Sequence, residues 1–149
     1  CVALFCDFRY MAQGQKLTTA FSRRGLIAEH GASWMLPRLV GRSRAMELAF
    51  TADAIDAETA LRIALVSAVV DDDALLAHVN ALAKRIARHP PDAIRMTKRL
   101  LRDSEQMSLT SHLDVVAAFQ AIAHVAPEHL AAVQSAVETL QQRDRNRGQ

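Results

Sequence analysis

Residues 25–41, GLIAEHGASWMLPRLVG, set a carboxylate and an imidazole, Glu29 and His30, inside a mostly apolar run that opens onto a helix. Side chains of this kind are normally exposed, or paired where they are buried. The stretch is therefore a solvated loop or a place where a proton acceptor is needed. On residues alone, Glu29 reads as a loop carboxylate, as an acid favoured by the N-terminus of the helix that follows, or as a general base.

Upstream of this stretch, FRYMA and KLTTAF are short runs rich in aromatic, β-branched and alternating residues, and QGQ lies between them. They read as two strands, or strand-like segments, around a turn. Downstream of about Gly41 almost everything is helical. SRAMELAFTA and DAETALRIALV carry apolar residues at helical spacing, and Asp56 stands where an N-cap would. SAVVDDD predicts a brief strand closed by acids that suit a helix start.

Leu75, Val79, Leu82 and Ile86 mark the next helix, which RHPP ends because consecutive prolines forbid its continuation. Those prolines start another, marked by Ile94, Met96, Leu100 and Leu101, and a third, with Leu113, Val116 and Ile122, reaches Ala126. Pro127 opens the last helix. Its apolar positions, Leu130, Val133, Val137 and Leu140, form a narrow stripe of the kind that packs against a partner helix.

Composition bounds the classes of function. A chain of 149 residues, half of them hydrophobic, buries one core of ordinary size, so one domain or part of one is expected. The net charge of +2 is spread in mixed-sign clusters, and the basic end, RDRNRGQ, is too short to argue for nucleic acid and reads as a solvated tail. No apolar run reaches the ~20 residues of a membrane span, so no membrane is expected. Cys1 and Cys6 form no stapling pattern and read as buried small hydrophobes in a reducing cytoplasm. The chain starts at Cys1 in mid-pattern, and an N-terminal portion is expected to precede it.

The six histidines form no HExxH or Cys/His cluster. His124 and His129 straddle Pro127 and are expected not to share a helical face, so no metal site is expected. Nucleophile elbows and Gly-rich phosphate loops are also missing from the sequence. Glu29 remains.

CVALFCDFRYMAQGQKLTTAF, then LPRLVG, A-x-E-L, I-x-A-x-x-A-L and an acidic helix start, form a long ordered pattern. It resembles the enoyl-CoA hydratase/isomerase, or crotonase, superfamily over essentially the whole chain, in that family's C-terminal half or more. The resemblance implies an α/β fold of crotonase type: the end of a spiral of ββα units with the active-site loop over residues 1–70, then a C-terminal helical oligomerisation region over residues 71–149. It implies homo-trimers, often paired into hexamers, with the last helix's stripe as a plausible contact. It also implies an acyl-CoA thioester substrate, coenzyme A being part of the substrate and no separate cofactor being needed. The thioester oxygen would be held in an oxyanion hole whose two backbone donors come from segments upstream of a point equivalent to Cys1. On that basis the 149 residues by themselves are expected to be inactive.

The two glutamates of the hydratase branch would align near Cys1 and Phe21, and neither position carries a carboxylate here. Glu29 falls where the Δ3,Δ2-enoyl-CoA isomerase branch and the related ring-isomerase branch carry their single acid. One base suffices to move a proton along an acyl chain, whereas hydration must also hold and deprotonate water. The resemblance thus implies Glu29 as catalytic base, with Phe21, His30, Gly31, Trp34 and Leu36 at the substrate. His30, where that branch often has glycine, reads as a spacer, a partner for Glu29 or a second acid/base. Arg23 and Arg24 suit either CoA phosphates or a solvated face. Alternatives left open are an enoyl-CoA hydratase, an acyl-CoA hydrolase or other enolate chemistry, and a noncatalytic binding or assembly module.

Overall fold

A computed structural model describes residues 1–147, with side chains as far as residue 143. The elements are β1 (Tyr10–Ala12), β2 (Lys16–Leu17), α1 (Ala32–Val40), α2 (Arg42–Thr51), β3 (Ile55–Asp56), α3 (Ala57–Arg62), β4 (Ala68–Val70), α4 (Leu75–Ile86), α5 (Pro91–Asp103), α6 (Leu109–His124) and α7 (Pro127–Arg147). Short 3-10 turns occupy Val2–Phe5, Ser22–Arg24 and Ser104–Gln106. By its contacts the chain forms two units, Cys1–Ala83 and Lys84–Gln149.

In the first unit the runs around QGQ are both strands, but they do not pair with each other. β1 runs parallel to β4, with Met11 opposite Val69, and β2 runs antiparallel to β3, with Leu17 opposite Ile55. The turn explains the separation. Gln13 N–H donates to Val70 O at 2.9 Å and Gly14 N–H to Asp72 Oδ1 at 2.7 Å, so its donors are committed to the end of β4. A parallel pair needs a crossover, and α3 lies within the segment that returns the chain from β3 to β4. Met11 and Ala12, on opposite faces of β1, are both buried, as expected of a strand covered on both sides.

The core of this unit joins Met11, Leu36, Ala45, Leu48, Ala60 and Leu65. Alanines on α2 and α3 allow the close approach that larger residues would prevent. Leu36 anchors α1 even though the next residue, Pro37, removes a backbone donor from the helix. α1 and α2 meet at Gly41, whose φ of 78° and ψ of 157° suit only glycine. Asp56 caps α3 as its position predicts, Oδ1 accepting the Thr59 N–H at 2.8 Å. That donation and a second from the Thr59 side chain hold the Asp56 carboxyl below its ordinary value. Arg9 ties the chain start to this core, donating from Nε to Leu65 O at 2.7 Å.

In the second unit α5 begins at Pro91, α7 at Pro127, and α6 behind Ser108, whose Oγ accepts the Ser111 N–H at 3.2 Å. α6 ends at His124, two residues short of the Ala126 expected. Arg99 lies over the Phe119 ring, linking α5 to α6. The basic end is helical to Arg147, Arg143 is exposed, and the remainder of that stretch lies outside the described side chains. Among the described residues no single helix is long and apolar enough to cross a membrane.

Candidate active site

The Glu29 loop begins with a clamp on the end of α2. The last carbonyls of a helix lack intrahelical partners. Here Thr18 and Thr19 hydroxyls donate to Ala52 O and Leu48 O, each at 2.8 Å, and Ser22 Oγ donates to Ala49 O. Arg23 adds an ion pair to Asp53 at 3.1 Å. The chain then turns through Ser22–Arg24, Leu26 N–H returning to Phe21 O at 3.0 Å, and heads for α1.

Its second bend carries the acid. Glu29 N–H donates to Ile27 O at 2.8 Å, and Glu29 O accepts the Ala32 N–H at 3.0 Å. Two consecutive left-handed residues follow, His30 at φ 53° and Gly31 at φ 74°, which reverse the chain into α1. At Gly31 glycine is required twice over. The backbone is left-handed, and a Cβ would stand 2.5 Å from Cζ of Phe5. No side chain caps α1; Gly31 O instead accepts from Met35 N–H at 2.9 Å.

The Glu29 side chain is 43% exposed, and its Oε1 lies 3.4 Å from Nε2 of His30, which is 71% exposed. The expected site residues therefore divide. Glu29, His30 and Gly31 share one turn. Trp34, half-exposed on the first turn of α1, carries the Arg38 guanidinium 3.6 Å above its ring. Leu36 goes to the core at 4% exposure, because the helical twist carries it away from Trp34. Phe21, partly buried, stands at the start of the 3-10 turn before the loop.

Phe5 was missed by sequence reasoning. Its ring packs on Gly31, a contact across 26 residues for which the sequence holds no local signal. One further expectation needs correction. Cys1 and Cys6 are exposed, not buried, because the 3-10 turn between them lies at the surface. His124 and His129 lie on two helices bent by 75° at the break before Pro127 and share no helical face, as expected, yet their ring centroids come 5.2 Å apart across the bend. Among the described residues no three His, Cys, Asp or Glu side chains gather as metal ligands would.

Chemically, the turn offers one part-exposed carboxylate with an imidazole beside it. Such a group can take a proton and give it back.

A family model described as enoyl-CoA hydratase/isomerase matches residues 1–144. The chain is 34% identical over 122 residues to 1,2-epoxyphenylacetyl-CoA isomerase of Escherichia coli K12, covering 82% of this chain and 47% of that protein. It is also 34% identical over 116 residues to crotonyl-CoA hydratase of Syntrophomonas wolfei, covering 78% and 45% respectively. A crystal structure of an enoyl-CoA hydratase/isomerase from Cupriavidus metallidurans CH34 superposes with a TM-score of 0.85 at 31% identity, over 93% of this chain and 52% of that one. The chain thus spans about half the length of these relatives.

Proposed function

The chain belongs to the enoyl-CoA hydratase/isomerase family, and from that premise we propose that it serves an acyl-CoA enzyme that shifts the double bond of an enoyl-CoA, with Glu29 as the base. The carrying observation is that Glu29 is the one acidic residue between Asp7 and Glu47, and that it stands half-exposed on the turn before α1. In this reading the α C–H bond breaks, its proton passes to the Glu29 carboxylate, and the electron pair becomes a dienolate with its charge on the thioester oxygen. Glu29 then returns the proton at the γ-carbon. Atoms and charge balance with one acid, whereas adding water asks for a second group to hold and deprotonate it.

The oxyanion donors would come from the part of the relatives that these 149 residues do not cover, so the residues by themselves are proposed to be inactive. Coenzyme A enters as part of the substrate, without a further cofactor. Self-association into trimers or hexamers through the exposed stripe of Leu130, Val133, Val137 and Leu140, and a cytoplasmic site of action in acyl-CoA breakdown, complete the proposal.

The test follows 3-enoyl-CoA to 2-enoyl-CoA conversion and 2-enoyl-CoA hydration side by side on the full-length protein, wild type against Glu29→Gln. Isomerisation that falls by ~10² or more supports the reading. Hydration alone, retained in the variant, overturns it.

A further inference from the structure

We propose that His30 is a positioning residue for Glu29, its imidazole holding the carboxylate in one place on the 28–31 turn; this deepens the reading of Glu29 as base and rests on it. The pair is direct, with Nε2 3.4 Å from Oε1. Arg23 is engaged with Asp53, and Arg38 lies over Trp34.

Of the two left-handed residues in the turn, only Gly31 is forced to be glycine by a neighbour, the Phe5 ring. His30 holds φ 53° with a full side chain, where glycine would be unstrained. Ala20, Ala52 and Ala64 hold the same conformation with only a methyl group, so what sets His30 apart is the carboxylate oxygen 3.4 Å from its ring.

The hydrogen bonds of Glu29 N–H and O already fix its backbone on both sides. What remains free is the carboxylate's rotation about its own side-chain bonds, and that is the freedom an imidazole contact removes. In open solvent such a pair is weak. An acyl group lying over it excludes water and strengthens it, so the effect belongs to the bound state.

The experiment is a double-mutant cycle in the full-length protein. His30→Gln is expected to lower kcat roughly five-fold while KM stays within about two-fold. In a Glu29→Gln background the same change is expected to cost nothing further, because there is no base left to position. His30→Gly, which suits the backbone, is expected to unfold no earlier than wild type and to lose the same activity, which separates positioning from misfolding. An additive loss, or one confined to KM, overturns the proposal. A second readout does not depend on turnover: the ¹⁵N resonance of His30 Nε2 moves in Glu29→Gln if the pair exists, and an unmoved resonance overturns it. If the wild-type protein isomerises nothing, the reading of Glu29 as base fails, and the positioning proposal falls with it even where the resonance moves.

Discussion

The two units of this chain bury their apolar residues to very different extents. In Cys1–Ala83 the residues of the core are sealed, Leu65 at 1% exposure and Ala60 at 0%. In the second unit the equally periodic Leu113, Ile122, Leu130 and Leu140 stand 54% or more exposed. A helical stripe in a sequence therefore specifies a face to be covered, and covering it is a separate event. Alanines at 45, 57 and 60 let three elements of the first unit close on β1, whereas α5, α6 and α7 meet pairwise, without a shared centre among the described residues. Local terms such as caps should accordingly matter more in the second unit, and packing more in the first.

The largest expected effect is at the sealed core. Leu65→Ala should destabilise the protein by about 2–5 kcal/mol, read as a lower denaturant midpoint at unchanged slope. A cost under about 1 kcal/mol would break the comparison. Gly31→Ala comes next, at about 1–3 kcal/mol, since it combines a left-handed backbone with a Cβ only 2.5 Å from Cζ of Phe5. Thermal unfolding measures it, and a neutral result would mean that Phe5 yields.

In the second unit the order should invert. Removing the cap of α6 by Ser108→Ala should cost about 1 kcal/mol, while Leu113→Ala on its exposed stripe stays within about 0.5 kcal/mol. Equal losses, measured on the same unfolding transition, would show that the stripe is covered in solution, as self-association would do.

The smallest effect is an acid-dependent one at α3. Thr59's donations hold the folded Asp56 carboxyl below its unfolded value, so the folded state takes up that proton less readily. The resulting stabilisation is fully present above the usual carboxylate range and is lost as pH falls below about 4. Asp56→Asn keeps a capping oxygen without the charge. Its melting temperature should therefore fall less than that of the wild type between neutral pH and pH about 3.

The family and a candidate acid were legible in the sequence alone. Glu29 stood out because a carboxylate in an apolar run needs a reason, and the order of motifs around it carried the family resemblance. Asp56, Pro91 and Pro127 announce helix starts through their own hydrogen bonds or ring geometry, within three or four residues of where they act. The strand at Ala68–Val70 was legible from its β-branched run closed by acids.

Other features depend on residues far apart in the chain. QGQ specifies a turn, but only the commitment of Gln13 and Gly14 to Val70 and Asp72 parts β1 from β2. Leu36 and Trp34 look alike as apolar residues beside the acid, until the twist of α1 sends one to the core and leaves the other at the surface. The left-handed turn at His30 and Gly31, with Phe5 upon it, likewise has no counterpart in local pattern. The sequence by itself determined where helices begin and which residue could act as an acid, because capping, proline geometry and charge are short-range properties. Tertiary structure alone decided which strands pair, which apolar residues are buried and what Glu29 faces, because those depend on contacts between segments that no local preference encodes.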